Sequence, residues 1–136
     1  MVERTFAMIK PDAVKAHHIG KIIDRAERAN FIVRGLRMEQ LTKEKAEKFY
    51  AVHKERPFFA ELVTFVISGP VVVMVLEKED GVKIWRDMMG STDPRLALQG
   101  TIRKDFGTSI GMNAVHGSDA LDTARQELAL FFPELK

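Results

Sequence analysis

A layered α/β fold is predicted for this chain of 136 residues. Two patterns carry that expectation. Short apolar runs rich in β-branched residues alternate along the chain with segments whose apolar residues recur every three to four positions, the periods of strand and helix respectively. A hydrophobic fraction of 46% over this length supplies enough apolar surface for one core, so a single domain spanning 1–136 is expected.

The elements follow in order. Thr5 to Ile9 is an apolar strand, ended by Lys10-Pro11-Asp12, where Pro11 pushes Lys10 into extended geometry. Ile19, Ile22, Ile23 and Ala26 share one helix face, with Asn30 as the stop. Residues 31–41 alternate loosely and carry Gly35, which suggests a half-exposed strand with a bulge. Ala46, Phe49, Tyr50 and His53 repeat the helical spacing, and Pro57 opens a second helix bearing Phe58, Phe59, Leu62 and Val66, completing a helical hairpin. After the Gly69-Pro70 turn, Val71 to Leu76 reads as a strand buried on both faces. Asp80 is placed to cap a helix carrying Val82, Ile84, Trp85, Met88 and Met89, which Gly90 ends. Residues 90–113 lack sustained periodicity and read as a long irregular loop of the kind usually kept for function. Ala114 to His116 is a brief strand, Ser118 or Asp119 an N-cap, and Leu121, Ala124 and Leu128 the buried face of a last helix. This order fits the split βαβ pattern of a ferredoxin-like α+β fold, a four-stranded antiparallel sheet with helices packed on it.

Composition narrows the chemistry. The absence of cysteine excludes disulfides, thiolate catalysis and cysteine-held metals. No run approaches the roughly 20 apolar residues of a membrane helix, and the charged start is unlike a signal peptide, so a cytoplasmic protein with no membrane partner is expected. The net charge of +2 does not argue for a stable nucleic-acid partner. It is uneven, with 13 Lys/Arg against 8 Asp/Glu in residues 1–60 and 8 against 11 in residues 61–136. That asymmetry suits a small anionic ligand, and equally two solvated surfaces of unlike composition.

His116 leaves a short strand and precedes a glycine, so its imidazole sits on a rigid corner; neutral imidazole is a good nucleophile, and a carboxylate on its second nitrogen would fix the tautomer. Glu127, two helical turns beyond Ser118 or Asp119, could point back to that ring. A polar residue at a strand end beside a solvated helix charge fits the same spacing. There is no phosphate-binding G-x-x-x-x-G-K-[ST] and no G-x-G-x-x-G after a strand, so any phosphate site must be assembled from separated side chains. Lys10, Arg86, Thr92, Arg103 and Asn113 are the candidates, each of which could also be an ordinary surface or turn residue. Phe58 could stack on a base with Leu62 beside it, or belong to the core. Tyr50 offers a hydroxyl, and the adjacent His17 and His18 are expected in solvent.

The segment Asn113-Ala114-Val115-His116-Gly117-Ser118-Asp119-Ala120 resembles the active-site signature of nucleoside diphosphate kinases. The likeness extends along the chain: Arg4 to Asp12, Arg56-Pro57-Phe58-Phe59, Ser68-Gly69-Pro70, Gly90-Ser91-Thr92-Asp93-Pro94 and Gly100-Thr101-Ile102-Arg103 are similar in the same order. The resemblance implies a ping-pong reaction in which His116 takes the γ-phosphoryl group of ATP and passes it to a nucleoside diphosphate. It further implies that Glu127 and Ser118 orient the imidazole and Tyr50 supports it. Lys10, Arg86, Thr92, Arg103 and Asn113 would hold phosphates and ribose, with Mg²⁺ bridging phosphate oxygens rather than bound by protein alone. Phe58, Leu62 and Ile110 would border the base, whose stacked faces carry no hydrogen-bond code. A homo-oligomer, hexamer, tetramer or dimer, is implied as well. Met112, Lys104 and Ala120 stand where the family often has Arg, Gly and Ser, none of them at an assigned catalytic position. The alternatives are a non-catalytic ferredoxin-like module binding nucleotide or nucleic acid, without the aromatic strand motif of RNA-recognition modules, and a phosphatase using the same histidine.

Overall fold

The computed structural model describes residues 1–135. Strand β1 (Val2–Ile9) leads through a short helix α1 (Pro11–Lys15) into α2 (Ile19–Arg28). β2 (Ile32–Glu39) follows, then α3 (Lys43–Phe49), a single 3₁₀ turn (Ala51–His53) and α4 (Phe59–Val66). β3 (Val71–Glu79), α5 (Gly81–Met89), α6 (Ile102–Phe106), β4 (Val115–Gly117) and α7 (Leu121–Phe131) complete the chain. The four strands form one sheet in the order β2-β3-β1-β4, every neighbouring pair antiparallel, as the ferredoxin-like expectation requires.

Strand alternation sorts the core into two layers. Ala7, Ile9, Met74 and Leu76 face Ile22 and Ala26 of α2 and Trp85 of α5. Phe6, Met8, Val73 and Val75 face Phe49, Val63, Val66 and Phe131 of α3, α4 and α7. The central strands are therefore covered on both sides, which explains the unbroken apolar run Val71–Leu76. Each large side chain removed from water here contributes about 1.5–3 kcal/mol. β2 lies at an edge and bulges at Arg34, between the Val33 and Gly35 pairings. Gly35 is required there because a Cβ would come within 2.9 Å of the Phe132 ring. Among the described residues no helix is long and apolar enough to cross a membrane.

Several local expectations are corrected. α1, five residues long, is too short to show a period. The helix expected through His53 ends at Phe49, with Ala51–His53 a separate 3₁₀ turn, and the one expected from Pro57 starts at Phe59. Asp80 does not cap α5: its backbone is left-handed (φ 54°), and the Glu3 carboxylate accepts from the Val82 N–H instead, at 3.1 Å. The supposed loop 90–113 contains α6, capped by the Thr101 hydroxyl. Ser118 and Asp119 are not the cap of α7; Ala120 holds that place, and Thr123 Oγ1 accepts its N–H at 2.9 Å. His18 is half-buried, its ring tilted against Phe106 at 4.7 Å between ring centroids, while His17 is exposed.

Candidate active site

β4 pairs with β1 so that His116 lies opposite Met8 and Gly117 opposite Ala7. Alternation then sends His116 and Ser118 to the same side of the sheet, the side that α7 covers. Their common neighbour is Glu127, on the inner side of α7. His116 Nε2 lies 3.1 Å from each carboxylate oxygen, and Ser118 Oγ donates to Oε1 at 2.7 Å. A carboxylate facing Nε2 favours the proton on that nitrogen, so in the neutral imidazole Nδ1 keeps the lone pair. Phe49 meets the ring edge-on at 4.7 Å and Phe6 lies tilted at 5.9 Å, so the imidazole has one orientation. On the opposite side of β4, Gly117 admits the Trp85 indole: a Cβ there would stand 2.4 Å from Trp85 Cδ1.

The approach to β4 is strained. Ala114 has φ 75°, and the Val115 N–H donates to the Asn113 carbonyl across it at 2.9 Å, closing a γ-turn. Such a conformation costs a non-glycine residue on the order of 1–3 kcal/mol. It persists because the Lys10-Pro11-Asp12 corner grips both of its peptide groups. The Lys10 N–H donates to Ala114 O at 2.8 Å, and Asp12 Oδ2 accepts the Ala114 N–H at 3.0 Å.

His116 opens onto a cavity of about 1570 Å³ whose lining includes Lys10, Arg86 and Arg103. Their partners are neutral oxygens. Lys10 Nζ donates to Asn113 Oδ1 at 3.0 Å, Arg103 donates to the carbonyls of Gly90 and Val115 at 3.0 Å each, and Arg86 reaches the Asp119 carbonyl at 3.4 Å. Asn113 in turn donates to Thr92 O at 3.0 Å, so the glycine-rich loop is tied to the strand that carries His116. Burial, and next the charge of Arg103, pull Lys10 down to about 8; burial, and next Arg86, pull Arg103 down to about 10. Both shifts say the same thing: the cations are desolvated beside one another and gain from a polyanion.

Lys10, Tyr50, Phe58, Leu62, Arg86, Thr92, Arg103, Ile110, Asn113, His116 and Glu127 all line this one cavity, and Ser118 lies buried behind Glu127. Phe58 and Ile110, 42% and 56% exposed, present apolar surface at its open end, so Phe58 is not a core residue. Tyr50 is buried against Phe49 at 4.7 Å. Its hydroxyl is bonded to neither His116 nor Glu127, and burial with the nearby Glu127 charge raises its pKa. Sequence reasoning passed over Phe49 and Asp12, and took Gly117 as the corner after His116 rather than as room for the Trp85 indole. Phe49 carries the signal of a core helix position, and the other two act through neighbours distant in sequence.

An oriented imidazole whose second nitrogen faces the desolvated Lys10 and Arg103 and the exposed Arg86 is built to accept and release a phosphoryl group, which places the protein among the phosphotransferases. Comparison narrows the class. Residues 3–136 match the family model of nucleoside diphosphate kinase. Over 134 residues the chain is 56% identical to a nucleoside diphosphate kinase of Bordetella avium and 58% identical to one of Bordetella petrii, covering 98% of this chain and 95% of each relative. The crystal structure of the Aquifex aeolicus nucleoside diphosphate kinase superposes with a TM-score of 0.95 at 47% identity, covering 97% of this chain and 96% of that one. A halophilic nucleoside diphosphate kinase from Halobacterium salinarum, solved in complex with CDP, gives 0.94 at 43% identity, covering 97% and 88%. The chain belongs to the nucleoside diphosphate kinase family, and is an enzyme of nucleotide phosphoryl transfer.

Proposed function

We propose that residues 1–136 act as one catalytic domain that moves the γ-phosphoryl group of a nucleoside triphosphate, mainly ATP, to a nucleoside diphosphate through phosphohistidine at His116. The observation that carries this reading is the division of labour between the two ring nitrogens: Nε2 is held by Glu127, and Nδ1 is free. In the first half-reaction Nδ1 donates its lone pair to the γ-phosphorus, the bond to the bridging oxygen breaks, and the diphosphate leaves with that electron pair. In the second, a terminal oxygen of the incoming diphosphate attacks the same phosphorus and the pair returns to Nδ1. Positive charge rises on the imidazole each time its nitrogen is phosphorylated, and the Glu127 carboxylate, steadied by Ser118, stabilises it.

Lys10, Arg86 and Arg103 would neutralise the phosphate oxygens, with Thr92 and Asn113 adding hydrogen bonds to phosphates and ribose. Phe58, Leu62 and Ile110 would clasp the base by its faces. Tyr50 would act as a buried wall close to Glu127 rather than as a direct partner of the ring. Among the described residues no group of three His, Asp or Glu side chains could hold a metal ion. Mg²⁺ would enter with the nucleotide and offset the charge of its phosphates. The unpaired edge of β2 exposes Leu36 and Met38, about half accessible, which supports a homo-oligomer of dimeric, tetrameric or hexameric order; sedimentation at the monomer mass would remove that part. A cytoplasmic setting agrees with the substrates.

Incubation with γ-labelled ATP and Mg²⁺ tests the reaction. An acid-labile, base-stable phosphoprotein should form, discharge on addition of GDP, and be missing in His116→Ala. Absence of label on the intact protein would favour a nucleotide-binding module, and release of free phosphate without an acceptor would favour a phosphatase.

A further inference from the structure

We propose that Asp12, which lies outside the set of side chains reading the nucleotide, is a positioning residue: its carboxylate holds Ala114 in the strained γ-turn and so sets the height at which β4 presents His116. The inference rests on the reading of His116 as the phosphorylated group.

Asp12 sits in the first turn of α1, immediately after the corner made by Pro11. Its Oδ2 accepts the Ala114 N–H at 3.0 Å, while the Lys10 N–H takes the Ala114 carbonyl at 2.8 Å. Ala114 is fully buried, so water cannot replace either bond. Residues on both sides of Ala114 belong to the site. Asn113 receives Lys10 Nζ, the Val115 carbonyl receives Arg103, and His116 follows. An unstrained Ala114 would turn the Asn113–Val115 segment and move all three contacts together.

The carboxylate is kept at a cost. Its Oδ1 is buried with no hydrogen-bond partner, and burial raises its pKa against the lowering effect of the Ala114 bond. A half-satisfied acid is retained where one oxygen holds a backbone group that would otherwise spring back. The hydrogen bond is the operative feature, since an amide oxygen could accept the same N–H without the charge.

This account makes glycine the remedy for losing Asp12, because glycine adopts φ near 75° without a Cβ penalty. Four variants carry the test: Asp12→Ala, Asp12→Asn, Ala114→Gly, and the double change Asp12→Ala with Ala114→Gly. The rate of His116 phosphorylation is measured by rapid quench, nucleotide affinity at equilibrium, and folding by thermal melting. Asp12→Ala should lower the phosphorylation rate by about tenfold while weakening nucleotide Kd by clearly less, because the long cationic side chains can follow the phosphates whereas the reacting nitrogen is fixed to β4. Asp12→Asn should stay near the parent rate, and the added Ala114→Gly should restore most of what Asp12→Ala lost. Parental rates in Asp12→Ala, or a slow Asp12→Ala that glycine does not rescue, overturn the proposal. Should Asp12→Ala not fold, a folded and active double variant supports the proposal, and an unfolded one overturns it. Full activity in His116→Ala would instead sink the reading beneath it, so the two failures are distinct.

Discussion

Replacing Glu127 with Ala removes the carboxylate that receives His116 Nε2 and Ser118 Oγ, at 3.1 Å and 2.7 Å. A hydrogen bond to a charged group is worth about 1.5–3 kcal/mol, and here it strengthens as the ring gains positive charge during transfer. At about 1.36 kcal/mol per tenfold, the loss corresponds to a phosphorylation rate lower by roughly 10- to 150-fold. Nucleotide affinity should hold within about twofold, because Glu127 is not one of the groups proposed to contact phosphate, ribose or base. Glu127→Gln, which still accepts the Nε2 proton but carries no charge, should fall between the two. The assay is single-turnover quench with labelled ATP beside equilibrium nucleotide titration, with a melting curve to confirm folding, since Ser118 is left buried without its acceptor. A rate within about twofold of the parent, or a defect confined to nucleotide binding, would refute the assignment of Nε2 to anchoring and Nδ1 to chemistry.

Lys10, drawn down to about 8, loses its charge well below the ordinary lysine range, so kcat/KM for ATP should decline as pH rises through about 8. Lys10→Arg keeps its proton and should carry that limb to higher pH; an unmoved limb would show that another group sets it. Gly117→Ala drives a Cβ against the rigid Trp85 indole, 2.4 Å from Cδ1, and should lower unfolding stability by about 1–3 kcal/mol in denaturant titration, whereas an unchanged midpoint would mean that the indole has room to shift.

Patterns that local physics imposes were readable in the chain. Ile19, Ile22, Ile23 and Ala26 lie on one helix because that face must be covered, and Val71 to Leu76 is unbroken because helices sit on both sides of it. The meeting of His116 with Glu127 was permitted by spacing but not decided by it, since a solvated helix charge fits the same interval, and only the packing of α7 against the sheet brings the two together. What stayed hidden depends on partners far along the chain. Asp80 looked like a cap, but the cap comes from Glu3, 79 residues before Val82. Asp12 reads in the sequence only as part of the segment that ends the first strand, because its bond is to Ala114, 102 residues away. Helix α6 escaped because five residues are too few to display a period, although Thr101 carried the signal of its start.

The cavity takes Lys10 from the end of β1, Tyr50 from the end of α3, Arg86 from α5, Arg103 from α6, His116 from β4 and Glu127 from α7. A site stitched from so many separate pieces is only as durable as the least secure of them. On warming, fraying of the short α6 or release of the Ala114 turn would silence the enzyme while most of the sheet remains intact, so heat inactivation should run ahead of bulk melting. A bound triphosphate, touching several of these pieces at once, would close that gap and act as the molecule's own thermal protectant.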